Sequence, residues 1–250
     1  MSMSWHDLLF AHWPVAKEEL RPLIPPELEI DTFEGSAWLG LVPFHMTNVR
    51  LSRLPKIFGM SFPELNVRTY VRHGDERGVW FFSLDAQHWL SVRVARRWYG
   101  LSYYDSQIEI TQRDESDGLL PLPVGEGRGE GLPKGNRRRT INYHSCRTHR
   151  GAWPAEFAVE YGPRGEPFHA VPGTLDHFLL ERYSLFAANR RGQATIAHID
   201  HPPWSLYHAD AEISCNTMTT PLSIHLPSTP PILHFSYGVK AVAESVRVLS

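Results

Sequence analysis

The fold is decided by residues 62–72, which read FPELNVRTYVR. Apolar or β-branched side chains occupy every second position, and this period of two predicts a β-strand. One face of the strand carries Leu65, Val67, Thr69 and Val71. The other face carries Glu64, Asn66, Arg68, Tyr70 and Arg72. The strand therefore has one apolar face and one face rich in ionisable groups.

The polar face of this strand has two interpretations. It faces water if the strand is half-buried in an antiparallel sheet. It faces a cavity if the sheet curls into a small barrel whose interior carries the polar side. In the second case Glu64, Asn66 and Arg68 would bring a carboxylate, an amide and a guanidinium to one surface. Such a set supplies a proton-transfer group beside a group that binds anions.

The rest of the chain is predicted to be mainly β (α+β), with two or three helices. Residues 79–86 form another β-favouring run after a turn at residues 73–75, so this run and the first are predicted to form a hairpin. Further strands are predicted at residues 37–44, 103–111, 140–147 and 156–161, and residues 231–248 are predicted to form one or two closing strands. Helices are predicted at residues 14–23, 87–99 and 174–189. No linker interrupts the chain, which predicts a single domain over residues 1–250.

A Gly- and Pro-rich stretch from Asp114 to Arg139 predicts a long mobile hairpin loop. Its glycines at alternate positions of residues 125–131 resemble a phosphate-binding loop. They do not lead from a strand into a helix, however, and the GK[ST] ending is absent. The 14 histidines include no HExxH pattern, and the chain has no CxxC. We therefore expect neither a metal ion nor a cofactor.

Charge and cysteine content exclude several classes of protein. Lys and Arg number 25 against 27 Asp and Glu, for a net charge of −2, which argues against nucleic acid as the main partner. No apolar run reaches the roughly 18 residues that span a bilayer, so no membrane association is expected. Two cysteines and a start without signal-peptide features predict a cytoplasmic protein. Whether the chain forms a homo-oligomer is left open.

Longer motifs are spread over nearly the whole chain outside residues 114–139. They read FAHWP at 10–14, LRPLIP at 20–25, FPELNVRTYV at 62–71, FSLDA at 82–86, GTLxxFLxERY at 173–183 and LHFSxGV at 233–239. Together they resemble the bacterial DUF2071 family, also called YqjF-like, an uncharacterised group.

That family is similar in turn to the acetoacetate decarboxylase superfamily, which implies an antiparallel β-barrel or β-cone around a buried pocket. Glu64 matches the pocket glutamate of the decarboxylases. Residues 95–104, ARRWYGLSYY, resemble their GRExxGFPKK segment, in which Arg96 keeps the arginine. Tyr103 and Tyr104 stand where the decarboxylases have two lysines.

The absence of this lysine pair changes the expected chemistry. Decarboxylation through an imine needs an amine of lowered pKa, and a phenol cannot form an imine with a ketone. The chain has only four lysines. Lys17 is on a predicted helix and Lys56 and Lys134 are in loops, so only Lys240, in the last strand, could point inward. We therefore do not expect Schiff-base catalysis.

What the resemblance implies is a pocket for a small organic acid or carbonyl compound. Any chemistry would be proton transfer of the lyase or isomerase type. Glu64 would move the proton, and Tyr103 or Tyr104 would stabilise an enolate. The carboxylate of the ligand would be bound by Arg68 or Arg96, and Asn66 would be a further ligand-binding residue.

The alternative is a ligand-binding or sensing module without turnover. The protonation of Glu64 separates the two hypotheses. An acid–base role needs a pKa raised toward neutrality, whereas a salt bridge to Arg68 or Arg96 would keep the carboxylate ionised and inert.

Overall fold

The structure is a computed structural model that describes residues 1–50, 55, 59–87, 101–115, 138–189 and 191–249. Over these residues the chain is mainly β, as predicted. The strands are β1 (Ser2–Val15), β2 (Glu29–Ile30), β3 (Ala37–Arg50), β4 (Met60–His73), β5 (Glu76–Ala86), β6 (Tyr103–Glu115), β7 (Arg138–Arg147), β8 (Glu156–Phe168), β9 (Ser184–Ala188), β10 (Ala194–Asp200), β11 (Leu206–Asn216), β12 (Ile232–Ala243) and β13 (Arg247–Val248). The helices described are α1 (Lys17–Leu20), α2 (Leu175–Leu180) and two 3-10 turns, Arg21–Leu23 and Thr220–Leu222.

The strands form one sheet that curls around its own inner face. Their order is β13-β10-β9-β5-β6-β7-β8-β11-β12-β1-β3-β4-β2. Two further pairings, β4 with β5 and β10 with β12, join strands that are distant in that order. Hydrogen-bonded neighbours therefore follow one another around a circuit of β4, β3, β1, β12, β10, β9 and β5. The inner face of this circuit contains a cavity, which is the candidate functional site.

Strand β4 is buried on both faces. Glu64 and Asn66 are only 2% and 5% exposed, so the interpretation in which this face meets water is wrong. The opposite face, with Leu65 and Val67, belongs to a second apolar cluster made mostly of side chains from other strands. From the barrel alternative we expected Leu65, Val67 and Val71 to pack under outer helices. This face packs instead chiefly against side chains of other strands.

The predicted hairpin of β4 and β5 is confirmed. The two strands are antiparallel, and their last pair before the turn is His73 with Glu76. Gly74 in this turn has a φ of +59°, a conformation that glycine adopts without steric cost. The other predicted strands are also present, with longer bounds, except that the run at 231–248 is divided into β12 and β13. Strand β1 was not predicted, because its run of Leu8 to Trp13 is buried on both faces and shows no alternation.

The helix predicted at residues 174–189 is wrong beyond its first two turns. Helix α2 ends at Leu180, and the chain continues as β9 from Ser184. The side chains of Leu185 and Phe186 enter different apolar clusters, which requires the period of a strand. Strand β9 also lies very close to β5, since a Cβ on Gly78 would stand 2.2 Å from the carbonyl oxygen of Ser184.

Three other expectations need correction or lie outside the described part. Strand β1 continues through Val15, so the helix predicted at 14–23 is reduced to α1 and the turn that follows it. The helix predicted at 87–99 falls almost entirely outside the described residues. The predicted loop at 114–139 is too long, because β6 and β7 still pair at Asp114 with Arg139 and at Glu115 with Arg138. Residues 116–137 lie outside the described part.

In the described part, no helix has the length and apolarity needed to cross a membrane.

Candidate functional site

A cavity of about 120 Å³ lies inside the circuit of strands. Its wall is mainly aliphatic and aromatic, with side chains from β1, β3, β5 and β9 and from the segment between β10 and β11. These include Leu8, Phe10, Val42, Phe44, Phe81, Leu185 and Trp204. The polar and ionisable side chains in the wall are Glu64, Asn66, Arg68, Tyr103, Arg182, Ser184 and His201. A mostly apolar pocket with a few convergent polar groups is the usual form of a small-molecule site.

Strand β4 brings three of the predicted site residues to this wall. Glu64, Asn66 and Arg68 are two residues apart, so the pleat of the strand directs them to the same face. The structure thus places these side chains where the barrel interpretation expected them. Their roles remain predictions.

The carboxyl group of Glu64 is fully buried and close to Tyr103. The Tyr103 hydroxyl donates a hydrogen bond to Oε2 of Glu64 across 2.9 Å. Burial raises the pKa of Glu64 from 4.5 to about 8, and the negative charge of Asp85 acts in the same direction. Hydrogen bonds from Tyr103 and Asn66 oppose this rise. With this pKa the carboxyl group of Glu64 is mainly protonated at neutral pH and can donate a hydrogen bond.

Two buried polar atoms in the wall lack a hydrogen-bond partner among the described residues. They are Oδ1 of Asn66 and Nε of Arg68. Buried polar atoms are nearly always satisfied by protein, water or a ligand. Asn66 thus offers an acceptor, and Arg68 a charged donor, on the same side of the cavity as Glu64.

The guanidinium of Arg68 forms no ion pair with a carboxylate in the described part of the chain. Its Nη2 donates a long hydrogen bond, 3.5 Å, to the Leu179 carbonyl oxygen. Its Cζ lies 5.6 Å from the centre of the Phe10 ring. A permanently charged group in this position is suited to bind a carboxylate from outside.

Arg182, which the sequence analysis did not select, lines the same cavity but is already paired. Its Nη1 donates to Oδ2 of Asp31 across 2.8 Å, and its Nε donates to the Phe178 carbonyl oxygen across 2.6 Å. The guanidinium also lies over the Tyr70 ring. The guanidinium of Arg182 is therefore engaged within the protein, whereas that of Arg68 has no carboxylate partner in the described part of the chain. Its place in the ERY motif at residues 181–183 was the signal that could have identified it.

His201 was also missed as a cavity residue. Pro202 and Pro203 follow it, and from these the sequence indicates only a loop. The structure confirms the loop but places the ring in the cavity wall, with the residue 7% exposed. Nothing in a single sequence indicates this position, because the contact depends on how the loop folds back.

The two predicted tyrosines lie on opposite faces of β6. Tyr103 lines the cavity, whereas Tyr104 contacts Arg147, whose Cζ lies 4.2 Å from the centre of its ring. Neighbouring residues of a strand point to opposite sides, so both could not reach one pocket. Placing Tyr104 in the pocket was therefore wrong. Arg96, the other predicted carboxylate-binding residue, lies outside the described residues.

No lysine of the described part reaches the cavity. Lys17 on α1 and Lys240 on β12 are both exposed, which corrects the suggestion that Lys240 could point inward. Lys56 and Lys134 lie outside the described residues. Within the described part, no three His, Cys, Asp or Glu side chains are grouped so as to hold a metal ion.

Comparison with known proteins assigns the chain to a family. Residues 2–240 match the DUF2071 family, described as an uncharacterized conserved protein. The chain is also 38% identical over 237 residues to the uncharacterized protein YqjF of Bacillus subtilis (strain 168). That match covers 94% of this chain and 87% of YqjF.

Solved structures with the same fold include several enzymes. The enduracididine biosynthesis enzyme MppR, complexed with pyruvate, has a TM-score of 0.61 at 12% identity, over 100% of this chain and 91% of MppR. The acetoacetate decarboxylase of Legionella pneumophila has a TM-score of 0.59 at 11% sequence identity. This match covers 100% of this chain and 88% of the decarboxylase chain. An acetoacetate decarboxylase-like enzyme of Sphingomonas wittichii RW1 has a TM-score of 0.55 at 14% sequence identity. This match covers 100% of this chain and 93% of that enzyme. The chain therefore belongs to the DUF2071 family and has an acetoacetate decarboxylase-like fold.

Proposed function

We propose that this protein binds a small carbonyl-containing organic acid in the cavity and transfers a proton to or from it, as a lyase or an isomerase does. No imine with a lysine takes part. One observation carries the proposal: a neutral carboxylic acid, Glu64, shares a cavity wall with Arg68, a guanidinium that forms no carboxylate ion pair in the described part.

Each polar side chain of β4 binds a different group of such a ligand. Arg68 binds the carboxylate of the ligand through charge-assisted hydrogen bonds. Glu64, positioned by Tyr103, donates a hydrogen bond to the carbonyl oxygen and stabilises negative charge that develops there. The free Oδ1 of Asn66 accepts a hydrogen bond from a hydroxyl group of the ligand, or from a water molecule bound with it.

The electrostatic balance of the cavity supports a ligand with a single negative charge. Glu64 is neutral at pH 7, and the charge of Arg182 is already balanced by Asp31. Arg68 therefore contributes one uncompensated positive charge. The pyruvate bound to MppR is a ligand of that protein, and it belongs to the chemical class proposed here.

Titration of pyruvate into the full chain, followed by calorimetry, tests binding. We expect saturable binding that Arg68→Gln weakens by at least tenfold. The matched control is Lys240→Gln, which removes one positive charge from an exposed position and should leave the affinity unchanged. Equal loss in both variants, or no binding to the wild-type protein, contradicts the proposal.

Exchange of the methyl protons of pyruvate in D2O, followed by NMR, tests proton transfer. Wild-type protein should accelerate this exchange over the buffer background, and Glu64→Gln should slow it, because an amide cannot deliver a proton to the carbonyl oxygen. Binding without exchange would leave the alternative, a ligand-binding module without turnover.

A further inference from the structure

We propose that His201 is the catalytic base of this cavity and works together with Glu64, the acid. This inference rests on the proposed function. Proton transfer next to a carbonyl group needs an acceptor as well as a donor. Glu64 already carries its proton, and an arginine side chain does not lose one. The base must therefore be another group in the wall.

The position of His201 meets the first requirement of a base, which is access to the ligand. The residue lies in the segment between β10 and β11 and lines the same cavity as Glu64 and Arg68. Aromatic rings hold the imidazole in place. The centre of the Tyr183 ring is 4.6 Å away, that of Trp204 is 4.9 Å away and that of Trp5 is 5.8 Å away.

Hydrogen bonding sets the tautomer of His201. Its Nδ1 lies 2.8 Å from the carbonyl oxygen of Pro202, and a carbonyl oxygen only accepts hydrogen bonds. Nδ1 therefore carries the hydrogen atom, and Nε2 of the neutral ring has the free lone pair. Among the described residues nothing donates a hydrogen bond to this Nε2. The neutral ring can therefore accept a proton on Nε2, which has no hydrogen-bond partner in the described part of the chain.

The charges around His201 keep it in the form a base needs. Burial lowers its pKa below 6.5, and the positive charge of Arg68 acts in the same direction. The Pro202 carbonyl and the carboxylates of Glu181 and Asp200 oppose this effect without reversing it. The same cavity thus raises the pKa of Glu64 and lowers the pKa of His201. Both shifts favour the neutral form, which is an acid for Glu64 and a base for His201. Such a separation is how acid and base roles are assigned within one site.

The proposed step is a balanced enolisation. Nε2 of His201 takes a proton from the carbon next to the carbonyl group of the ligand. The electron pair of that C–H bond forms a carbon–carbon double bond, and the carbonyl oxygen takes the proton of Glu64. The reverse step returns a proton from His201 to carbon and one from the enol to Glu64. In D2O the protonated imidazole exchanges with solvent, so deuterium enters the ligand.

Pyruvate exchange in D2O, measured on the full chain, tests His201 directly. His201→Gln should slow exchange by about 100-fold or more, the usual contribution of a positioned base. The affinity for pyruvate should remain within about threefold. His201→Gly leaves space for a free ring, and added imidazole should restore part of its exchange, which a purely structural role would not allow. The matched control is His225→Gln at an exposed position distant from the cavity, with unchanged exchange expected.

Each other outcome decides against the inference in a distinguishable way. If His201→Gln binds pyruvate and still exchanges it at near the wild-type rate, His201 is not the base, although the proposed function stands. If the wild-type protein binds pyruvate without exchange, there is no base and only ligand binding survives. If pyruvate does not bind at all, the proposed function fails and this inference fails with it. Should His201→Gln not fold, the pH profile of wild-type exchange decides. Protonation of His201 should slow exchange at some pH below its ordinary pKa of 6.5, so a rate that stays constant over the whole acidic range in which the protein remains folded overturns the inference.

Discussion

The Tyr103 hydroxyl donates a hydrogen bond to Oε2 of Glu64 across 2.9 Å, joining the first residue of β6 to β4 inside the cavity. This bond fixes the position of the carboxyl group. Since it favours the charged form, it also limits how far burial raises the pKa of Glu64. The net result is an acid with a pKa of about 8, close enough to neutrality to release and recover a proton.

Replacing Glu64 by glutamine should change how stability depends on pH. The pKa of Glu64 rises on folding from 4.5 to about 8, so between these values the folded chain holds a proton that the unfolded chain has released. The stability linked to this proton is complete below pH 4.5 and declines by about 1.4 kcal/mol per pH unit as the pH rises toward 8. Glu64→Gln should flatten this decline and exceed the wild type in stability above pH 8.

Urea unfolding at a series of pH values measures this effect. The control is Glu166→Gln, which changes an exposed carboxylate and should keep the wild-type slope. If Glu64→Gln also keeps that slope, Glu64 does not bind a proton on folding.

Arg68→Gln should separate two classes of ligand. A hydrogen bond to a charged group contributes about 1.5–3 kcal/mol, so the affinity for pyruvate should fall by roughly 10- to 100-fold. Acetone presents a carbonyl group without a carboxylate, and its weaker binding should be unaffected. Competition NMR with both compounds makes the comparison, and an equal loss for both would show that Arg68 acts through the structure of the pocket.

Arg182→Gln should instead destabilise the fold. The side chains of Arg182 and Asp31 are 5% and 6% exposed, and removing the arginine leaves the carboxylate of Asp31 buried without its partner. Breaking a buried pair in this way costs about 3–5 kcal/mol. Thermal unfolding should show a large decrease in Tm, whereas Arg68→Gln should change Tm much less. If Arg182→Gln left Tm unchanged, the ion pair of Arg182 with Asp31 would not stabilise the cavity wall.

Borohydride reduction in the presence of pyruvate or acetoacetate should leave no adduct on a lysine. In the described part of the chain Lys17 and Lys240 are exposed, and neither lines the cavity. Peptide mass mapping after reduction provides the measurement. A stable mass increase assigned to any lysine would restore imine chemistry and refute the present assignment of roles.

The sequence predicts those parts of the molecule whose local pattern and packing agree. Strand β4 alternates because one face meets the cavity and the other a second apolar cluster, so its polar side chains were assigned correctly to one face. The segment at residues 174–189 misleads because its apolar residues satisfy a helical period over α2, while tertiary packing with β5 and β10 makes β9 a strand. The pairing of β9 with β5 and β10 cannot be predicted from the local sequence of residues 184–188, because it depends on strands distant in the chain.

Of the candidate site, the sequence predicted the side chains of β4 and one residue of β6. Glu64, Asn66 and Arg68 share a local pattern, and Tyr103 was identified by its resemblance to a family segment. That same resemblance gave Tyr104 equal weight, although the pleat of β6 directs it away from the cavity. Arg182 and His201 reach the wall from distant segments, after α2 and after β10, and only the three-dimensional circuit of strands brings them there.

Every role proposed for the cavity depends on Glu64 being neutral at pH 7, and a carbon-13 NMR titration of the side-chain carboxyl groups measures its protonation. Glutamate labelled at Cδ gives one signal per residue, and Glu64→Gln identifies the signal of Glu64 by its loss. We expect this signal to titrate with a pKa of about 8. A Glu64 signal that titrates at or below 4.5 would show an ionised carboxylate and contradict the proposed acid role.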